Sequence, residues 1–187
     1  MPMRNFASAI DAALAKRDRI DFMQAVSGLD ERYAGEPYTD HPDPLGLLGG
    51  LWALHFRVEA DGIGRFLAEP EGAAFEQTVV WCERVGAEEA ADFLREVAAV
   101  FPDGVVPVDD DERYVVVEEL ESLRPRPLRQ LARRYAGAMD ELADRVRDWL
   151  RTHRAEVERA LAEEGGEPPP RRPAITSTTS TARSPSS

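Results

Sequence analysis

Cysteine occurs once in this chain, at Cys82, and lysine once, at Lys16, so arginine supplies almost all of the positive charge. A lone cysteine excludes an intrachain disulfide and the disulfide-stapled secreted scaffolds, which makes a reducing cytoplasm the expected setting. No apolar run approaches the roughly 20 residues that a membrane-spanning helix needs. In the opening segment Asp11, Lys16 and Arg17 interrupt every apolar stretch, so no signal peptide is expected. Histidine is scarce too: His41, His55 and His153 stand far apart, with no H-E-x-x-H or other ligand spacing. Neither a nucleophile elbow, a phosphate loop nor a catalytic carboxylate pair follows from the spacing. The expectation is therefore a non-enzyme with no metal and no cofactor. The rival class is a hydrolase or metal enzyme that would use His55 or His153 with the acids of 109–112.

What the chain has in excess is negative charge. The formal net charge is −12 over 187 residues. Between Glu83 and Glu121 there are 13 acids against Arg84, Arg95 and Arg113. Such a field repels nucleic acid, whose binding rests on clustered Lys and Arg, and it favours basic partners. Solubility is the competing explanation of an acidic surface.

Helical periodicity runs through most of the chain. Asn5 is placed to cap a first helix bearing Phe6, Ile10, Ala13 and Leu14 on one face, and Ile20, Met23 and Val26 mark a second, closed by Gly28. Gly35, Pro37, Pro42 and Pro44 then punctuate a loop from Asp30 to Asp43. A helix from about Pro44 to Ala60 carries Leu47, Leu48, Leu51, Trp52, His55 and Val58. Its glycines at 46, 49 and 50 lack the dinucleotide-binding spacing and instead permit close packing. Gly62 is placed as a left-handed cap. A short helical turn at Ile63–Leu67 precedes the helices 73–85 and 87–101, which Gly86 joins as an antiparallel hairpin. The stretch from His55 to Pro107, with its helix–loop alternation, is expected to organise the fold. Asp109–Glu112 fit a helix start, and Tyr114–Val117 have strand-like composition inside a segment expected to be helical. Leu128 to about Glu163 is the longest helical segment, its stripe running through Leu131, Tyr135, Ala138, Leu142, Val146, Trp149, His153, Val157 and Leu161. The last residues, 165–187, are rich in Pro, Ser and Thr and cannot bury enough to fold. The expected architecture is all-α: one compact multi-helix domain over 1–164 with a disordered C-terminal tail.

The run Ala60-Asp61-Gly62-Ile63-Gly64-Arg65-Phe66, followed by Glu69-Pro70-Glu71-Gly72, resembles a known pattern. It is similar to a small helical family of unknown-function domains named after the C-terminal domain of a neisserial DNA-mimic protein. In that family a helix leads into a loop of the form N-G-G-hydrophobic-x-Q-F and then an N-S-S-G-like turn. Gly62, Phe66 and Gly72 match, whereas Ala60, Asp61, Arg65 and Glu69 replace an asparagine, a glycine, a glutamine and a second asparagine. Gly86-Ala87, Phe101-Pro102, Pro107 and the acidic run ending in Arg113 continue the likeness, which covers roughly 45–155 and marks a divergent member. The resemblance implies an all-helical fold, no known catalysis and, in the founding case, carboxylates that imitate DNA phosphates on a DNA-binding protein. For this chain it implies a role in transcription regulation and a basic DNA-binding protein as partner, the alternative being a housekeeping or scaffold helical domain; the acidic charge argues against direct nucleic-acid binding, and a homodimer is left open.

Duplex DNA carries one charge per ~1.7 Å of axis, so a mimic needs carboxylates fixed in rows. Glu88, Glu89, Asp92 and Glu96 lie along one outer face of a helix, over about two turns at ~1.5 Å rise per residue. Asp109, Asp110, Asp111 and Glu112, with Glu118, Glu119 and Glu121, would extend that row if their segment lies alongside. The same Asp109–Glu112 run lacks the alternation and central glycine of a calcium loop. Cys82 reads as a core hydrophobe, and Trp52, Trp81 and Trp149 as core or interface. Arg124, Arg126, Arg129, Arg133 and Arg134 form the one basic patch, for which pairing with neighbouring acids is expected.

Overall fold

The computed structural model describes residues 6–29 and 37–163. Their α-helices are α1 (Phe6–Leu14), α2 (Arg19–Ser27), α3 (Leu45–Asp61), α4 (Ile63–Ala68), α5 (Phe75–Val85), α6 (Glu88–Ala98), α7 (Asp110–Ser122), α8 (Pro127–Arg134), α9 (Ala138–Thr152) and α10 (Arg154–Glu163). Short 3-10 turns occupy Tyr38–Asp40, Pro70–Ala74 and Pro102–Gly104. The all-α expectation holds, and the strand-like Tyr114–Val117 lies inside α7. Asn5, Asp30 to Glu36 and the tail from 165 lie outside the described residues.

The organising element is α3. Leu45, Leu47, Leu48, Leu51, Ala53, Leu54 and His55 are all buried, so this helix is apolar around most of its circumference. A helix of that kind must be surrounded. Helices α2, α4, α5, α9 and α10 pack on it. The centre of the fold thus begins before the His55–Pro107 stretch, which supplies α4 and α5 of the layer around it, while α2, α9 and α10 come from outside that stretch. The three glycines expected to permit close packing do so: a Cβ on Gly46 or Gly49 would overlap Tyr38, and one on Gly50 would overlap the Trp81 ring.

Helices α5 and α6 form the expected antiparallel hairpin. Gly86 takes the left-handed conformation at φ 76°, and its N–H returns to Glu83 O at 3.0 Å. Gly62 differs from its expectation: with φ 88° and ψ 169° it is extended in the region that glycine alone occupies easily, turning α3 directly into α4.

Two further expectations are corrected. Ile20 is exposed at 57%, and α2 turns Phe22, Met23 and Val26 inward instead. The cap of α2 is Asp18, whose carboxylate accepts the Asp21 N–H at 3.0 Å. The long C-terminal stripe is three helices rather than one, broken at Tyr135–Gly137 and at His153. Its apolar residues stay inside, but each piece packs on its own set of neighbours: α8 on α4, α6 and α7, α9 on α2, α3, α5 and α6, and α10 on α1, α3 and α9. Arg154, at the start of α10, donates to the Asp11 carboxylate and to Ala7 O of α1, fixing the second bend.

Candidate interaction surface

The acidic segment 109–121 is held in place by one buried cation. Arg113 is fully buried, and its guanidinium donates to Leu67 O at 2.6 Å, Glu69 O at 3.1 Å, Pro107 O at 2.9 Å and Val108 O at 2.8 Å. It also pairs with the exposed carboxylate of Asp110. A buried charge is tolerated only when hydrogen bonds replace its hydration, and the end of α4 and the chain entering α7 provide them. The family-motif Gly72 belongs to this arrangement, since a Cβ there would stand 2.5 Å from Leu67 O and 2.8 Å from Arg113 Nε. In the sequence Arg113 stands only at the end of an acidic run, and no local pattern marks it as the anchor of α7.

On that anchored helix the carboxylates divide by task. Asp109 is the N-cap, accepting the Glu112 N–H at 2.9 Å. Asp110 partners Arg113, and Glu121 is half-buried, its carboxylate facing Gly64. Asp111, Glu112, Glu118 and Glu119 are exposed, and among the described residues no ion pair reaches them. From 111 to 119 the helix rises about 12 Å at ~1.5 Å per residue. Exposed apolar side chains interleave with them: Val108 at 73%, Val115 at 63% and Tyr114 at 52%.

The α6 row is more heavily compensated. Glu88, Glu89 and Asp92 are exposed and Glu96 is half-buried. Asp92 pairs with Arg95 at 2.6 Å, and Arg95 also reaches Glu83. Glu96 pairs with Arg134 and accepts from the Tyr135 hydroxyl at 2.7 Å. Glu88 and Glu89 make no ion pair among the described residues. The start of α6 is capped across the fold, because the Glu141 carboxylate on α9 accepts the Glu89 N–H at 2.9 Å.

The two acidic groups do not merge. Helix α8 packs against both α6 and α7, while α6 and α7 have at most marginal contact. The outer face of α8 is basic, and the condition for extending the α6 row, that the 109–121 segment lie alongside α6, is not met. The internal pairing expected for the patch is met only at Arg134, through Glu96. Arg124, Arg126, Arg129 and Arg133 make no ion pair among the described residues. For Arg129 and Arg133 the reason is geometric: Leu128 and Leu131 face inward, which turns 129 and 133 toward solvent.

The family-motif loop splits likewise. Phe66 is buried in the core, whereas Gly62 and Arg65 line a groove of about 600 Å³ with Tyr114, Glu118 and Arg129. Arg65 pairs with Glu69 one turn on.

The remaining candidates sit as core or boundary groups. Cys82 is fully buried, and burial pushes its thiol up to about 12. Burial likewise lowers the pKa of His55. The His153 Nδ1 lies 2.9 Å from Trp149 O, and its ring stacks on Trp149. Trp81 and Trp149 are buried, and Trp52 stacks on the part-exposed Phe56. Among the described residues no three His, Cys, Asp or Glu side chains converge as metal ligands, and no helix is long and apolar enough to cross a membrane.

Residues 39–153 match a family model described as DMP19-like protein. That range begins six residues before the 45–155 resemblance seen in the sequence and ends two before it. No curated protein and no solved structure matches the chain.

Proposed function

The chain belongs to the DMP19-like protein family, and from that premise we propose that it is a non-enzymatic, acidic, cytoplasmic protein-binding module. Its partner is a basic DNA-binding protein such as a transcription factor, whose DNA-contacting surface it occupies in place of DNA. The observation that carries this is α7: Asp111, Glu112, Glu118 and Glu119 stand unpaired on a helix that the buried Arg113 holds rigidly. Fixed carboxylates lose little entropy on meeting guanidinium and ammonium groups, whereas carboxylates on a mobile segment would have to be ordered first. Tyr114, Val115 and Val108 add apolar contact that phosphates cannot offer, so the face suits a folded protein partner. Glu88 and Glu89 form a second, smaller acidic point across the basic face of α8.

The test is binding to a basic DNA-binding protein isolated from the native host, measured by calorimetry over a salt series with duplex DNA as competitor. Affinity should fall steeply with salt, and DNA should displace the module. The double variant Glu118→Lys/Glu119→Lys should weaken binding more than Glu88→Lys/Glu89→Lys, with helix content unchanged by circular dichroism. Binding that ignores both DNA and the α7 reversal would leave a helical scaffold domain whose acids only keep it in solution.

A further inference from the structure

The arginine face of α8 is unusual for so acidic a chain. Most described arginines lie in ion pairs, among them Arg19 with Asp140 and Asp144, Arg84 with Asp43 and Glu156, and Arg154 with Asp11 and Glu158. Arg124, Arg126, Arg129 and Arg133 have none, yet with Pro125 and Gln130 they line one pocket of about 280 Å³. The Arg126 Nε is shielded from solvent and has no hydrogen-bond partner. Arg126 is also the N-cap of α8, without a side-chain cap bond. Four cations thus line one pocket, and no anionic side chain of this chain lines it with them.

We infer that this pocket binds a small multivalent phosphate: a diphosphate or triphosphate group, free or as the phosphate arm of a nucleotide. One carboxylate would neutralise one guanidinium and leave the others repelling each other, as Arg129 and Arg133 do one helical turn apart. A di- or triphosphate carries several charges within the reach of planar, fork-shaped donors that fit phosphate oxygens two at a time. A long nucleic acid is disfavoured, because its next phosphates would meet Glu118, which shares a groove with Arg129, and a chain of net charge −12. A second copy of the chain is disfavoured by its own net charge of −12. The pocket volume lies near the lower end for small-molecule sites, which fits a compact anion.

The experiment is calorimetry on the full chain with pyrophosphate, tripolyphosphate, ATP, AMP, sulfate and a duplex oligonucleotide. One equivalent of tripolyphosphate or pyrophosphate should bind at least about tenfold more tightly than sulfate or AMP and raise the melting temperature. ATP binding more tightly than tripolyphosphate identifies the source as a nucleotide, and the reverse identifies the free anion. The variant Arg129→Gln/Arg133→Gln should weaken binding at least about tenfold, while Arg17→Gln/Arg159→Gln, which changes two unpaired arginines elsewhere, should leave it within about twofold. On the wild-type chain, pyrophosphate should protect Arg129 and Arg133 from phenylglyoxal as mapped by mass spectrometry, a readout independent of any variant's folding. Sulfate binding as tightly as pyrophosphate, equal losses in the two double variants, absent protection, or an oligonucleotide that outcompetes tripolyphosphate would each overturn the inference.

Discussion

Replacing Arg113 with methionine keeps most of the buried aliphatic volume and removes every donor that ties α7 to the end of α4. Only the bond to Leu67 O is wholly buried, and losing a charge-assisted bond there costs roughly 1.5–3 kcal/mol. The carbonyls of Glu69, Pro107 and Val108 are part-buried and can regain some water, so each adds roughly 0.5–1 kcal/mol. Asp110 is 61% exposed, so its pairing adds at most about 1 kcal/mol. The expected loss is therefore about 3–7 kcal/mol, a large share of the ~5–15 kcal/mol that stabilises a typical domain. At about 2–4 °C per kcal/mol for a chain of this size, the melting temperature should fall by roughly 6–28 °C. Gly72→Ala presses on the same guanidinium, so the two substitutions should not add. Urea unfolding of both single variants and the double variant should yield a coupling of about 1 kcal/mol or more. A loss below about 1 kcal/mol for Arg113→Met, or strict additivity with Gly72→Ala, would refute the claim that this cation anchors α7. Because the proposed partner face lies on α7, Arg113→Met should also weaken partner binding at temperatures where the chain remains folded.

Gly50→Ala should cost about 1–3 kcal/mol in urea unfolding, because its Cβ meets the Trp81 ring, and the shift should appear in tryptophan fluorescence. An unchanged midpoint would mean that the ring moves aside freely. The lowered pKa of His55 keeps it neutral in the fold while the unfolded chain takes up the proton first. Its contribution is present above the ordinary value near 6.5 and is lost as pH falls from there through the folded pKa. His55→Leu should accordingly flatten the drop in urea midpoint between pH 7 and pH 5, and parallel curves for the two proteins would contradict this. For Cys82 the sign is opposite in pH: its stabilising share is whole below 9.0 and is lost between 9.0 and about 12, since the unfolded thiol ionises first. A thiol reagent at pH 8 should label Cys82 only as fast as the chain opens, and rapid labelling of native protein would place the thiol outside the core.

The sequence by itself determined the helical class, the α5–α6 hairpin and most of the inward-facing residues. These are local properties: a 3.6-residue apolar period selects a helix, and Gly86 followed by one residue leaves the next helix only an antiparallel path. The likeness carried by Gly62, Phe66 and Gly72 also lay in the sequence. Tertiary structure alone decided three other matters. It broke the 128–163 stripe into α8, α9 and α10, because each part had its own set of neighbours to cover. It made Arg113 an anchor, since its acceptors come from Leu67, Glu69, Pro107 and Val108, two of them more than forty residues away. And it set α8 between the acidic faces of α6 and α7, so that the 109–121 carboxylates do not extend the α6 row and arginine divides the two faces. Charge along a chain is fixed by the sequence, but which charges meet depends on how the helices pack, and no periodicity encodes that.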